Sequence, residues 1–238
     1  METVQYAWLI WSLLLLAVWA VVYVSLASKE SKKEMLVVSL WTSLLGATEP
    51  LFVPEYWSPP SLFDLALRTG FDIESFLFAF GIGGLAAVIY EKMHPVAHRR
   101  MPPARIRGSR HTYHTAALLS APVLFILLLL YSDLNPIYAA SLALLAGGIF
   151  SWYCRPDLKR KMITGSLAFL ALYVAYFSTL NLAYPGYVEA VWNLDAVSGV
   201  LVAGIPIEEL LFALSFGFLW SSIYEHATWR TIKRANTT

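Results

Sequence analysis

The sequence predicts an all-α, polytopic membrane protein with seven transmembrane helices, its N-terminus outside the cytoplasm and its C-terminus inside. Three observations lead to this prediction: a low content of charged residues, seven long apolar segments and an alternating placement of lysine and arginine. Of the 238 residues, 58% are hydrophobic and 14% are charged, whereas about a quarter of a typical soluble domain is charged. A bilayer is therefore the expected environment.

The seven apolar segments are long enough, or nearly so, to cross about 30 Å of hydrocarbon. They are Tyr6–Ala27, Met35–Val53, Phe71–Tyr90, Tyr113–Ser132, Pro136–Tyr153, Met162–Leu180 and Pro206–Tyr224. Lipid offers no partner to a free backbone N–H or C=O, so isolated spans must be helical. The strands of a β-barrel would be about half as long and would alternate in polarity.

Lysine and arginine predict the orientation of these helices. Every basic residue except Arg68 lies in the connections after helices one, three and five or in the C-terminal tail. Because basic connections are retained in the cytoplasm, the alternation supports both the helix count and the topology. We interpret the basic loops as topology determinants that also contact membrane lipid, and we expect no nucleic-acid partner. The first apolar segment lacks a basic start and a cleavage pattern, so we expect a retained helix.

Helices three and seven contain an internal repeat. Asp72–Glu91 and Pro206–Glu225 align without a gap and are identical at 10 of 20 positions. The identical polar pairs are Glu74 with Glu208, Tyr90 with Tyr224 and Glu91 with Glu225. Trp57 and Trp192 precede the two copies at similar distances.

The repeat predicts a plan of three helices, one linker helix and three further helices. Residues 1–91 form the first repeat, 92–135 the basic inner loop and linker helix, and 136–238 the second repeat and the cytoplasmic tail. A single linker helix returns both triplets to the same orientation, so the repeats are parallel. Two halves that face each other would bring Glu74 and Glu208 to the same depth beside a shared cavity.

Ionisable side chains in or beside a membrane span are energetically costly and are therefore functional candidates. The candidate catalytic acids are Glu49, Glu74, Glu208 and Glu209, since a carboxyl group in an apolar pocket can act as a proton donor. The candidate substrate-binding residues are Asp72, Phe78, Phe212, Trp41 and Asn181. A structural alternative stays open, because Asp72 suits an N-cap and Glu208 and Glu209 suit a first helical turn.

Other polar features predict structural roles. Gly81–Gly84 predicts close helix packing, and the Tyr90–Glu91 and Tyr224–Glu225 pairs are expected to anchor their helices at the inner interface. The single cysteine, Cys154, excludes an intramolecular disulfide, and we expect neither a Cys/His metal site nor a cofactor. His94, His98, His111 and His114 lie at no spacing typical of metal ligands.

The helix-seven motif has a family resemblance. Pro206-Ile-Glu-Glu followed by Leu-Leu-Phe, repeated less fully as Asp72-Ile-Glu-Ser-Phe-Leu-Phe, resembles the membrane-embedded lycopene cyclase domain family of bacteria, archaea and fungi. The signature of that family is similar to Pro-x-Glu-(Glu/Asp) at the start of the third helix of each half. Glu208 and Glu209 match it in the second half and Glu74 in the first, whereas Asp72 and Ser75 depart from it.

The resemblance implies an activity: the end of a linear carotenoid such as lycopene is protonated and cyclised to a β-ionone ring. It also implies a lipophilic polyene or other terpenoid substrate, and association with carotenoid-pathway enzymes in the plasma membrane of a prokaryote. The departures at Asp72 and Ser75 leave open a divergent member that uses mainly the helix-seven acids, acts on another terpenoid or has lost catalysis.

Three other classes of membrane protein are alternatives to a cyclase. A retinal protein needs a lysine in helix seven, and no lysine lies between Lys161 and Lys233. An intramembrane prenyltransferase needs Asp-rich magnesium motifs, which the isolated Asp157 and Asp195 do not supply. A non-catalytic protein that binds or transports a carotenoid or another terpenoid remains the alternative.

Overall fold

The computed structural model describes residues 6–234; the first five residues of the predicted first repeat and the last four of the predicted tail lie outside this part. The described chain is mostly helical. Its long helices are α1 (Ala7–Ser25), α2 (Lys29–Ser43), α3 (Ile73–Met93), α4 (His114–Tyr131), α5 (Pro136–Cys154), α6 (Lys159–Ala183) and α7 (Ile207–Trp220). Each lies where a transmembrane segment was predicted, which confirms a polytopic, mainly α-helical chain.

Six helical segments among the described residues are long and apolar enough to cross a membrane. The second predicted span differs from them. Helix α2 begins at Lys29, earlier than predicted, because the Ser28 side chain accepts hydrogen bonds from the N–H groups of Glu30 and Ser31. It ends at Ser43 and continues as a 3-10 helix over Leu44–Leu51, with Pro50 inside it. The seventh crossing, the orientation and the repeat stay predictions.

Short elements connect the long helices. The α-helical ones are Leu65–Thr69, Pro103–Ile106, Tyr187–Val191 and Ile223–Thr228, and the 3-10 turns are Leu62–Asp64, Ser109–His111, Pro156–Leu158 and Leu194–Ala196. The last predicted span, Pro206–Tyr224, is interrupted: α7 ends at Trp220, and a turn separates it from the helix Ile223–Thr228.

Two small antiparallel sheets were not predicted. Strand β1 (Val96–Arg100) pairs with β4 (Arg230–Arg234), which joins the loop after α3 to the C-terminal segment. Strands β2 (Leu201–Val202) and β3 (Ile205–Pro206) form a hairpin immediately before α7. Both sheets lie in connections, where the hydropathy that predicts the spans carries no information about pairing.

Helix α3 lies at the centre of the bundle and packs against α1, α2, α6 and α7. Its small residues allow this close approach. A Cβ atom at Gly83 would overlap the side chain of Thr42, and one at Gly84 would overlap the side chain of Ser39. These contacts confirm that the glycine segment of α3 serves close helix packing.

Trp57 and Trp192 join the connections that precede α3 and α7. Their backbones form an isolated antiparallel bridge, and their ring centroids are 5.3 Å apart. The sequence places the two tryptophans at similar distances before the paired glutamates, and the structure brings them into direct contact. Both side chains also line the internal cavity of the bundle.

Candidate active site

A cavity of about 600 Å³ lies inside the bundle and receives residues from all seven long helices. Its volume falls within the about 300–1,000 Å³ that is usual for small-molecule sites. Most of the lining side chains are apolar or aromatic: Trp8, Phe52, Phe78, Ile82, Phe125, Leu144, Phe177, Phe212, Phe216, Leu219 and Trp220. Glu49 and Glu209 contribute carboxyl groups to the same cavity.

Glu209 lies in the first turn of α7 and is almost completely buried. Its carboxylate accepts hydrogen bonds from the Tyr56 hydroxyl at 2.7 Å, the Tyr173 hydroxyl at 2.5 Å and the Trp192 Nε1–H at 3.0 Å. All three donors are uncharged side chains. Burial and the neighbouring Glu209 raise the pKa of Tyr56 well above its usual value, so its hydroxyl remains a donor. Three donors therefore fix the Glu209 carboxyl group in one orientation at the edge of the cavity.

Glu49 has different surroundings. It lies in the 3-10 segment Leu44–Leu51 and is buried, and its Oε1 atom has no hydrogen-bond partner within residues 6–234. Ser75 and Trp57 lie beside it and also line the cavity. Ser75 occupies the repeat position that corresponds to Glu209. Glu49 thus supplies a carboxyl group beside the position at which the first half lacks the second acid of the motif.

Glu74 and Glu208 do not line the cavity. Glu74 accepts a hydrogen bond from the backbone N–H of Leu62 at 2.8 Å. Glu208 accepts one from the Ser198 N–H at 3.0 Å and one from the Tyr138 hydroxyl at 2.6 Å. Each glutamate therefore fixes the loop that precedes its own helix. The shared sequence position corresponds to a shared structural contact, not to a pair of acids that face each other across the cavity.

The five predicted substrate-binding residues separate into two groups. Phe78 and Phe212 line the cavity. The other three lie elsewhere: Asp72 caps α3 by accepting from the Ser75 N–H, Asn181 donates to the Gly204 carbonyl at 2.8 Å, and Trp41 is 71% exposed on the outside of the bundle. Asp72 therefore has the capping role that was the structural alternative.

The residues that sequence reasoning missed are the donors to Glu209. Tyr56 and Tyr173 belong to no recognisable sequence motif. A tyrosine in or beside an apolar span is usually an interface residue, so neither was selected as a site residue. Trp192 was noted only for its spacing from Glu208. The signal that could have identified them is the recurrence of tyrosine and tryptophan around the two repeat motifs, but spacing does not show which of them point inward.

A second group of buried ionisable residues lies at the opposite end of α3. The Lys161 cluster consists of Lys161, Glu34, Glu91, Glu225 and His98. Lys161 Nζ lies 2.8, 2.8 and 2.6 Å from the carboxylates of Glu34, Glu91 and Glu225. His98 Nε2 lies 3.0–3.1 Å from the same three carboxylates. All five side chains are at most 1% exposed.

Contacts between opposite charges offset the cost of burying the Lys161 cluster. Desolvation lowers the pKa of His98, but the carboxylates of Glu225, Glu34 and Glu91, which face its Nε2–H as acceptors, outweigh this effect and raise the pKa to about 11. His98 is therefore cationic at neutral pH. Glu91 and Glu225 were predicted to be interface anchors together with Tyr90 and Tyr224, yet all four are buried. The two glutamates converge on Lys161 because both copies of the repeat end beside α6.

His111, His114 and Cys154 form a further group, whose ligand atoms all lie within 4.8 Å of one another. The sequence predicts no Cys/His metal site, because the spacing of these residues along the chain is not typical of metal ligands. The fold brings the start of α4 beside the end of α5 and places the three side chains together.

Part of the chain matches the model of a known protein family. Residues 135–227 match the family model of lycopene cyclase. The match runs from just before α5 into the helix Ile223–Thr228, so it includes Glu208 and Glu209. It confirms the resemblance that the sequence motif predicted and supports a function of the carotenoid cyclase type. It spans less than half of the chain, and Glu49 and Tyr56 lie outside it.

No curated protein and no solved structure shows significant similarity to this chain. The lycopene cyclase match over residues 135–227 and the apolar helices together support a membrane protein whose second half is similar to carotenoid cyclases.

Proposed function

We propose that the protein is a carotenoid β-cyclase that closes the end group of a linear, lycopene-type polyene inside the membrane. The observation that carries this proposal is the placement of Glu49 and Glu209 in one apolar, aromatic-lined cavity. The lycopene cyclase match over residues 135–227 supports the same reaction class. The substrate is a lipophilic polyene, and the proposed location is the plasma membrane of a prokaryote.

The proposed reaction is an isomerisation. An acid transfers a proton to the terminal double bond of the polyene, which leaves a tertiary carbocation. The neighbouring double bond attacks that cation and closes a six-membered ring, so that the positive charge moves to a ring carbon. A base then removes a proton from the ring and forms the new double bond. The chain must therefore supply one proton donor, one proton acceptor and a cavity that excludes water.

Glu49 is the proposed proton donor. Its Oε1 atom is buried without a hydrogen-bond partner in the described part of the chain, and no basic side chain lines the cavity. Apolar surroundings that leave one carboxyl oxygen without a donor favour the neutral carboxylic acid over the carboxylate. A carboxyl group kept protonated in this way is suited to proton transfer to a weakly basic double bond.

Glu209 is the proposed carboxylate. Burial opposes its charge, but the hydrogen bonds from Tyr56, Tyr173 and Trp192 favour the ionised form. A carboxylate here would stabilise the carbocation and accept the proton that leaves the ring. The faces of Phe78, Phe212 and other aromatic rings of the cavity would stabilise the same cation through cation–π attraction.

Glu74, Glu208, Asp72 and Asn181 have positioning roles in this proposal. They fix the loops before α3 and α7 and the start of α3 by hydrogen bonds to backbone groups. Trp41 belongs to the lipid-facing surface. Lipid would deliver the substrate, since α4 contributes Phe125 and Ile126 to the cavity while Leu127 and Leu130 of the same helix are exposed. Enzymes of the carotenoid pathway are the proposed partners.

The test is expression of the full chain in a bacterium that accumulates lycopene, followed by chromatography of the extracted carotenoids. We expect cyclic products from the wild type. We expect Glu49→Gln and Glu209→Gln each to lower product formation by about 10²–10⁴-fold, the usual contribution of a general acid or base. Glu189→Gln, an exposed glutamate, is the matched control and should retain full activity.

Two results would contradict the proposal. Unchanged lycopene in cells whose membranes contain the wild-type protein would exclude lycopene cyclisation, and recovery of bound lycopene with that protein would favour a carotenoid-binding function. Wild-type activity in both glutamine variants would instead refute the assignment of the acid and the base.

A further inference from the structure

We infer that His111, His114 and Cys154 form a binding site for a divalent transition-metal ion of the zinc class. The site lies apart from the cavity, and none of its three residues lines the cavity. Two imidazoles and one thiolate are ligands that zinc and its neighbours prefer. The inference does not depend on the proposed cyclase reaction.

The distances fit a single metal ion. His111 Nδ1 lies 3.4 Å from Cys154 Sγ, and His114 Nδ1 lies 3.6 Å from the same sulfur atom. In a tetrahedral site with Zn–S of about 2.3 Å and Zn–N of about 2.1 Å, nitrogen and sulfur are about 3.6 Å apart. Both nitrogens thus already lie at the separation that a shared ion requires. A thiol carries only one proton, so it can donate to only one of these two nitrogens.

The fold explains why these side chains converge. His111 ends the 3-10 turn Ser109–His111, and His114 begins α4 one turn later. Cys154 is the last residue of α5, which packs against α4. A metal ion here would tie the start of the linker helix to the end of the first helix of the second half.

The surroundings hold the two histidines in place. The Trp229 ring stacks on His114 with centroids 3.7 Å apart and meets His111 edge-on at 5.1 Å. The fully buried His226 ring lies 4.6 Å from the His114 ring, and its Nε2 atom has no hydrogen-bond partner within residues 6–234. Cys154 and His114 are buried, whereas His111 is half-buried and gives an ion access from the surface.

Arg155, which follows Cys154 in the chain, is already paired. The Arg155 guanidinium contacts the Asp157 carboxylate at 2.9 and 3.0 Å and donates to the carbonyls of Glu225 and Arg230. It therefore leaves the thiolate of Cys154 free to bind a cation. The Lys161 cluster also groups ligand-type side chains, but the Lys161 ammonium contacts three of its carboxylates and would repel a metal ion.

The test uses Co²⁺ as a spectroscopic probe of the purified, chelator-treated full chain in detergent. We expect one Co²⁺ per chain, a thiolate-to-cobalt charge-transfer band in the near ultraviolet and the intense visible bands of a tetrahedral site. Added Zn²⁺ should abolish these bands by displacing Co²⁺. Cys154→Ser should remove the charge-transfer band. Loss of an outer-shell partner of a metal ligand usually weakens metal binding by about 10–100-fold. His114→Gln removes a proposed ligand, so it should weaken Co²⁺ binding by more than this factor.

His94→Gln is the matched control, because His94 lies outside the group, and it should bind Co²⁺ as the wild type does. The wild-type spectrum tests the inference even if a variant fails to fold. Absence of Co²⁺ binding to the wild type, or binding without a thiolate band, would overturn it. An unchanged spectrum in Cys154→Ser, the variant without any thiol, would overturn it as well.

Discussion

Buried carboxylates occur in two regions of this molecule, and the groups that face them differ. In the Lys161 cluster, Glu34, Glu91 and Glu225 each contact the ammonium of Lys161 and the imidazole of His98. In the cavity, Glu209 contacts only neutral donors, and one oxygen of Glu49 has no partner in the described chain. A neighbouring cation favours the ionised form of a carboxylate, whereas surroundings without a cation favour the neutral acid.

The contrast assigns different tasks to the two regions. The Lys161 cluster joins five elements: α2, α3, α6, the helix Ile223–Thr228 and strand β1. Removal of one charge there leaves the opposite charges buried and unpaired, so we expect the cluster to determine stability. The carboxyl groups of the cavity contact no opposite charge in the described chain, and we therefore expect substitutions there to alter the reaction more than the stability of the fold.

The largest expected effect tests the Lys161 cluster. Lys161→Met keeps most of the length of the side chain but removes the ammonium, so that among the described residues His98 is the one cation left in contact with the three buried carboxylates. Loss of one partner from a buried ion pair costs about 3–5 kcal/mol. We expect the free energy of unfolding to fall by that amount in a mixed-detergent titration.

Lys33→Met is the control for this change, because Lys33 is exposed, and it should alter the unfolding free energy by less than about 0.5 kcal/mol. Equal stability of the two variants would show that the carboxylates of the cluster do not depend on Lys161. The proposed division between the two regions would then fail.

The sequence predicted the long helices well because a bilayer imposes a simple requirement: about 20 apolar residues per crossing. It predicted the bounds of the second long helix less well. Its apolar segment, Met35–Val53, does not reveal that a serine cap starts the helix at Lys29 or that Gly46 and Pro50 lie in a 3-10 segment. Pairing of β1 with β4 was equally invisible, since it joins loops that are about 130 residues apart.

The candidate site was predicted in part. Glu49, Glu209, Phe78 and Phe212 were selected and do meet in one cavity. The repeat also selected Glu74 and Glu208, which do not line that cavity; a recurrent residue can serve a recurrent loop contact as well as a reaction. Neighbouring glutamates in the first turn of α7 point in different directions, and only the packing of that turn shows which one faces the cavity.

A smaller effect should separate two tyrosines of α6. Tyr173→Phe removes a donor to Glu209, and a hydrogen bond to a charged group is worth about 1.5–3 kcal/mol. We expect the initial rate of cyclic product formation to fall by about 10–100-fold. Tyr176→Phe is the matched control, because the Tyr176 hydroxyl is buried without a partner in the described residues; its rate should stay within about twofold of the wild type. Similar rates for both variants would contradict the carboxylate role of Glu209.

The smallest expected effect concerns Glu208. The glutamine in Glu208→Gln can still accept a hydrogen bond from Ser198 or Tyr138. Because this bond is no longer charge-assisted, we expect the free energy of unfolding to fall by about 1 kcal/mol. Product formation should stay within about threefold of the wild type, in contrast to Glu209→Gln. Glu74→Gln, its counterpart in the first half, should behave in the same way. If Glu208→Gln instead abolished the product at unchanged stability, Glu208 would take part in the chemistry although it does not line the cavity.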